Sequence, residues 1–304
     1  MIRGHLFPGR RSVTWLVCHI VSGDAFISGL LCAAAGLALI WLRRTKRGQI
    51  GGRLLLIGGW ILAAAALNAR DTPPVVMAFV FSIWAFVASV LPERISRPDR
   101  VPGGTDFVRP GSLIGISLVT VSLIQTLFQE ETIDAWKSNE PIYIIGDSLS
   151  AGIDAGEGEP WPERLAAILE SEVVSHAEAG ATAKSAIEQA EQLPADSFVI
   201  VEIGGNDLLG GGSAAEFEQN LDQLLTHVCS DDRRVVMFEL PLPPFYVRFG
   251  AAQQKLARKH GVRLIPRRVL ARVLFSDAAT LDSIHLSEAG HRRLAEEVAA
   301  RLRR

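Results

Sequence analysis

The sequence is poor in cysteine, tyrosine and methionine, and neither sign of charge dominates it. Three cysteines in 304 residues, Cys18, Cys32 and Cys229, are too few and too scattered for a disulfide framework. Leu31 precedes Cys32 and Val17 precedes Cys18, so neither cysteine follows the small residue that a bacterial lipoprotein signal requires. A formal net charge of −2 leaves no basic domain, which speaks against nucleic acid as a partner. Acidic residues are missing from 43–53. Charge of either sign is missing from four longer stretches, and all four fall before residue 130.

Those four stretches are 25–42, 54–68, 75–91 and 112–128. Each approaches the ~20 apolar residues that span a bilayer, with the scattered Gly and Ser that membrane helices tolerate. They predict a membrane region over 1–130 with about four transmembrane helices. Trp41, Trp60 and Trp84 read as apolar filling or interface anchors. A buried helical bundle competes best at 54–68, the shortest stretch. Between the first two spans lie Arg43, Arg44, Lys46, Arg47 and Arg53 without an acid, which marks a cytoplasmic loop. Arg94, Arg97, Arg100 and Arg109 mark the third connection in the same way. The chain after residue 130 is therefore expected outside the cytoplasm, in the periplasm of a bacterium with the spans in its inner membrane. Arg3, Arg10 and Arg11 oppose this orientation, but they lie further from a span than the five-residue basic loop. A cleavable signal peptide fits poorly with three further spans behind the first.

Residues 131–139 read as a linker, and from 140 the pattern changes. Apolar strand candidates at 141–145, 172–176, 197–203, 234–240 and 262–265 alternate with amphipathic helix candidates at 162–170, 183–192, 215–229, 246–260 and 287–302. Strands separated by helices predict a parallel sheet covered on both faces. Ligands bind such sheets at the carboxyl ends of the strands.

Four motifs fall at those ends. Gly146-Asp147-Ser148-Leu149 follows the apolar Ile142-Tyr143-Ile144-Ile145, and a serine at a sharp strand-to-helix turn can present its hydroxyl as a nucleophile. Gly180, in the loop after the second strand, can lend a backbone N–H. Asn206, in Gly204-Gly205-Asn206-Asp207 after the third strand, can aim its amide into the cleft. Asp282 and His285, three apart before the last helix, can meet side by side; the carboxylate then orients the imidazole and leaves its other nitrogen free to take a hydroxyl proton. His291 reads as a helix residue facing solvent or the sheet. His176, His227 and His260 have no acid placed comparably in sequence, and read as structural or exposed.

Together and in this order the motifs resemble the SGNH (GDSL-type) hydrolase family, over roughly residues 140–304. The resemblance is closest to its bacterial periplasmic acyl-thioesterase/lysophospholipase (arylesterase) branch. It is carried by Gly146 to Gly152, Trp161-Pro162, Val201 to Asp207 and Leu240 to Pro243. It implies a three-layer α/β/α, flavodoxin-like fold over 140–304 with Ser148 as nucleophile, His285 as general base and then acid, and Asp282 as its orienter. The implied oxyanion donors are the Ser148 and Gly180 N–H groups and the Asn206 amide, with no metal or cofactor. The last block departs from the branch, because Ser283 and Leu286 stand where it carries Gly and Pro. The loop 208–213, which helps shape the acyl pocket, is unusually rich in glycine.

The expected protein is a membrane-anchored serine esterase acting on lysophospholipids, other acyl (thio)esters or O-acetyl groups. Two alternatives stand beside it. One is acyl transfer to a surface glycan, disfavoured by spans that carry no histidine or acid. The other is a non-catalytic membrane-anchored binding module, disfavoured by the complete set of site residues.

Overall fold

The computed structural model describes residues 16–22, 24–42, 46–66, 136–138, 140–152, 158–230, 232–242, 246–275 and 285–302. They fall into two compact units: 23–130, and 131–304 joined by the first 22 residues. The early segment is held to the second unit in part by the Cys18 thiol, which reaches the Ala271 carbonyl at 3.7 Å.

In the first unit, α1 (Asp24–Leu42) and α2 (Lys46–Ala66) pack against each other. Their backbones meet at glycines: a Cβ on Gly36 would stand 2.6 Å from the Gly52 carbonyl oxygen, and one on Gly59 2.5 Å from that of Gly29. Small residues at such crossings are how helices approach closely in lipid. The expected spans 25–42 and 54–68 coincide with these helices, whereas 75–91 and 112–128 lie outside the described residues. Among the described residues no helix is long and apolar enough to cross a membrane. Helix α1 comes nearest, since its 19 residues rise about 28 Å against a hydrocarbon core of about 30 Å. Helix α2 is interrupted by Lys46, Arg47 and Arg53. The described helices therefore do not carry the four-span expectation.

The second unit is built as the alternating pattern predicts. Strands β1 (Ile142–Gly146), β2 (Val173–Ser175), β3 (Phe198–Glu202), β4 (Arg234–Phe238) and β5 (Arg263–Ile265) form one parallel sheet in the order β2-β1-β3-β4-β5. Every residue of β3 is buried. Alternate side chains of that strand divide between two cores. Val199 and Val201 pack with α5 (Ala186–Ala190), α7 (Ala214–Val228) and α8 (Val247–His260). Phe198 and Ile200 pack on the other face with α4 (Trp161–Leu169), α9 (Arg268–Leu274) and α10 (Glu288–Leu302). This is the expected α/β/α sandwich with its parallel sheet.

Local chemistry sets the element ends. Ser213 caps α7 by accepting from the Glu216 N–H, while Glu216 reaches back to the Ser213 N–H, a reciprocal cap that stabilises by about 1 kcal/mol. Two one-turn helices, α3 (Ser148–Ala151) and α6 (Gly205–Leu209), follow directly on β1 and β3, and neither has enough length to register as a periodic segment. The register aligns Gly146 with Glu202. The two strands that feed the site thus end level with each other.

Candidate active site

The turn from β1 into α3 is held by backbone geometry before any catalytic group enters. A Cβ on Gly146 would lie 2.5 Å from the Ser150 Cβ, so only glycine lets the chain reverse this sharply. The buried Gln189 of α5 then completes the Gly146 peptide. Its Oε1 accepts the Gly146 N–H at 3.0 Å and its Nε2 donates to the Gly146 carbonyl at 3.1 Å. Asp147 caps α3 by accepting the Leu149 N–H at 3.0 Å. Ser148, half-buried, opens that helix.

Beyond β2 the chain runs alongside this turn, with Glu178 N–H donating to the Gly146 carbonyl. Gly180 follows, exposed and at φ 77°. Nothing lies within 4 Å of where its Cβ would stand. The demand for glycine there comes from the left-handed backbone.

Asn206 on α6 joins the two loops. Its Nδ2 donates to the Ala181 carbonyl at 2.9 Å and to Asp147 Oδ2 at 3.3 Å. Next to it, Asp207 Oδ2 accepts the Ala183 N–H at 2.9 Å. The Gly180 loop is therefore clamped on both sides by consecutive residues of one motif. In this resting arrangement both amide hydrogens of Asn206 are engaged, and the longer contact, to Asp147, is the one an incoming oxyanion would replace.

His285 is half-buried at the foot of α10, and its charge is felt by the Asp147 carboxylate, whose pKa it lowers. The structure thus brings Asn206 between the residue beside Ser148 and the residue after Gly180, and His285 within electrostatic reach of Asp147. Asp282 lies outside the described residues.

Burial dominates the electrostatics. It pushes Asp147 up to about 6, with the charge of Asp207 adding to the rise, while the Leu149 N–H, a hydrogen bond from Glu202 and His285 oppose it. Burial also raises Asp207. Glu202, fully enclosed at the end of β3, is raised well above the usual carboxylate range by burial and then by the neighbouring Asp147 charge. Sequence reading missed Glu202, Ser150 and Gln189 as parts of the site. For Glu202 the signal was present, as an acid ending an otherwise wholly apolar strand.

The remaining histidines sort themselves out. His291 is buried rather than facing solvent, and its Nδ1 accepts the Trp161 backbone N–H at 3.3 Å. Burial, aided by Arg164, lowers its pKa to about 4. His260 does have an acid, Asp222, at 2.6 Å. It comes from a neighbouring helix 38 residues away, and Lys259 shares it. His176 stacks on Tyr143, and His227 bonds the Gln223 carbonyl of its own helix. Among the described residues, no three His, Cys, Asp or Glu side chains converge as a metal site would need.

Comparison with known proteins agrees with this geometry. Residues 144–293 match the GDSL-like Lipase/Acylhydrolase family. The chain is 33% identical over 140 residues to the thioesterase 1/protease 1/lysophospholipase L1 of Escherichia coli, the match covering 42% of this chain and 66%, just under two thirds, of that protein. It is 26% identical over 174 residues to the esterase TesA of Pseudomonas aeruginosa, covering 52% and 86%. The psychrotrophic esterase EstA from Pseudoalteromonas sp. shares the fold, with a TM-score of 0.50 at 20% identity over 54% of this chain and 97% of that one. In the order of its motifs, the C-terminal unit of this chain is similar to the GDSL-like lipases and acylhydrolases and to the esterases and thioesterases among these relatives.

Proposed function

We propose that the chain is a membrane-associated serine esterase whose hydrolase unit works outside the cytoplasm. The observation that supports it most is the Asn206 amide, which bridges the Gly180 loop and the residue beside Ser148. In this reading the Asn206 amide serves as an oxyanion donor together with the Ser148 and Gly180 N–H groups. Ser148 Oγ attacks the ester or thioester carbonyl as His285 takes its proton, with Asp282 orienting the imidazole. The tetrahedral oxygen accepts from the Ser148 and Gly180 N–H groups and from Asn206, displacing Asp147 as the partner of that amide. His285 returns the proton to the leaving group, and a water activated by the same imidazole releases the acyl group from Ser148.

A groove of about 600 Å³ opens beside Asn206. Thr182, Lys184, Gln219, Asn220 and Gln223 line it with hydrogen-bonding groups, and Phe217 is the one large apolar side chain there. A polar moiety, a headgroup or a polyol, suits this wall better than a long acyl chain. Lysophospholipids and O-acylated glycans both carry one. The glycine-lined crossing of α1 and α2 supports placement in or at a bilayer.

The full-length protein, assayed with p-nitrophenyl acyl esters and labelled with a fluorophosphonate, tests the reading. Ser148→Ala is expected to abolish labelling and to lower turnover at least about 10³-fold. A wild type that does not label, or a variant that keeps its hydrolysis, refutes the esterase assignment.

A further inference from the structure

A directed chain of hydrogen bonds runs behind the nucleophile turn, through residues that take no part in the mechanism above. The Trp161 indole, which can only donate, gives its Nε1–H to Ser150 Oγ at 3.2 Å. The serine hydroxyl in turn donates to Glu202 Oε2 at 2.9 Å. Glu202 also accepts the Asp147 backbone N–H and shares a side-chain hydrogen bond with the Asp147 carboxyl. Asp147 in turn accepts from the Leu149 N–H and from Asn206 Nδ2. Ser150, Glu202 and Asp147 are all buried.

Two buried carboxylates in contact cannot both ionise. Two donors point at each of them, so burial decides: Glu202 ends a strand buried throughout, whereas Asp147 sits in the turn beside half-buried Ser148, and the proton of the pair belongs on Glu202, directed at Asp147. We propose that Glu202 is a positioning residue for the hydrolase reaction: kept protonated, it donates its O–H to the Asp147 carboxylate, and the single negative charge held there fixes Leu149 N–H and the Asn206 amide in register with Ser148. The raised pKa of Glu202 agrees with this assignment. The proposal rests on hydrolysis at Ser148. It adds that the oxyanion donors are aligned from behind by a carboxyl pair carrying one proton.

The charged groups facing Asp147 are Glu202 from β3, Asp207 from α6 and His285 below α10. Asp147 takes up a proton as the pH falls through about 6, and the aligned arrangement is lost. That uptake contributes a proton to the acid limb of kcat/KM.

The test compares Glu202→Gln, Glu202→Met and Asp147→Asn in the full-length protein, with turnover expressed per fluorophosphonate-labelled site so that misfolded protein does not count. The amide of Glu202→Gln still accepts from Ser150 and donates to Asp147, and is expected to restore activity to within about threefold of wild type. Glu202→Met fills the space without donating. Its turnover near pH 7 is expected to fall more than about tenfold, part of the 10²–10³ that loss of an oxyanion donor costs, while KM changes less than about threefold. Its acid limb moves to higher pH, because Asp147 has lost a donor, so activity recovers as the pH rises. Asp147→Asn loses turnover without that recovery, and its acid limb carries one proton fewer than that of wild type. Wild-type turnover per labelled site and an unmoved acid limb in Glu202→Met would show that Glu202 only fills space, and would overturn the proposal. The same holds if Glu202→Gln is as damaged as Glu202→Met. Should Glu202→Met yield no labelled protein, an acid limb in Asp147→Asn as steep as that of wild type overturns it. Failure of the wild type to label at all would instead strike the esterase reading itself.

Discussion

Replacing Gln189 isolates how much the nucleophile turn depends on a side chain that never meets substrate. Gln189 is 1% exposed, and both its polar atoms are committed to the Gly146 peptide, at 3.0 and 3.1 Å. Gln189→Met keeps the length, leaves the Gly146 N–H buried without its partner and leaves the Gly146 carbonyl with the Glu178 N–H alone. The unsatisfied N–H costs about 1–3 kcal/mol and the bond lost at the carbonyl about 0.5–1.5 kcal/mol, while burial of the apolar replacement returns about 1–2 kcal/mol. The net loss is expected at about 1–2 kcal/mol, against the ~5–15 kcal/mol of a typical domain. Urea unfolding of the full-length protein, followed by circular dichroism, measures it. Gln189→Glu sharpens the result. A protonated carboxyl can accept from the N–H and donate to the carbonyl, as the amide does, whereas an ionised one cannot donate. Burial raises the folded-state pKa of this new acid above its unfolded value of about 4.3. Stability of Gln189→Glu is therefore fully present below about pH 4 and is lost as pH rises towards the folded pKa, at up to about 1.4 kcal/mol per pH unit. A Gln189→Met loss under about 0.5 kcal/mol, or a Gln189→Glu stability that tracks wild type at every pH, would refute the view that Gln189 completes this peptide.

His291 gives a second pH signature of opposite sign. Its folded pKa, about 4, lies below the unfolded value of about 6.5, so its contribution is present above pH 6.5 and lost as pH falls towards 4, up to about 3 kcal/mol; His291→Gln, which can still accept the Trp161 N–H, is expected to lose less stability than wild type between pH 7 and pH 4.5 in urea titrations, and equal losses would contradict this. Placement of the hydrolase unit outside the cytoplasm predicts that a reporter fused after Arg304 and active only in the cytoplasm stays silent, while one active only in the periplasm works. The reverse pattern would invert the topology.

Much of the second unit was legible because its signals are local. An apolar run such as Phe198–Val201, ended by glycines, marks both a strand and the place where the chain turns, so the turns carrying Ser148 and Asn206 could be located from their neighbours, whereas Gly180 was singled out only by the family resemblance. Helix α9 escaped because Arg268 and Arg272 interrupt a seven-residue segment too short to show a period. The pairing of His260 with Asp222 escaped for a different reason: helix packing brings together residues 38 apart, and no spacing rule reaches that far. The carboxyl pair lay between these cases. Glu202 was conspicuous as an acid ending a buried strand, yet its partner became visible only when the register set Gly146 against that residue. In the first unit, long uncharged runs located α1 and α2 without fixing how much of each is apolar enough to span.

Trp161 bears on the order in which the chain can fold. Its indole is tied to Ser150, eleven residues earlier, and its backbone N–H to His291, 130 residues later. The first tie can form as soon as α4 exists. The second must wait until nearly the whole unit has left the ribosome. Until α10 docks, the backbone N–H that opens α4 has no acceptor from His291, and the face of the sheet beneath Trp161 stays uncovered. Completion of the support behind Ser148 is therefore a late event in folding, and a nascent chain carries its nucleophile long before it can use it.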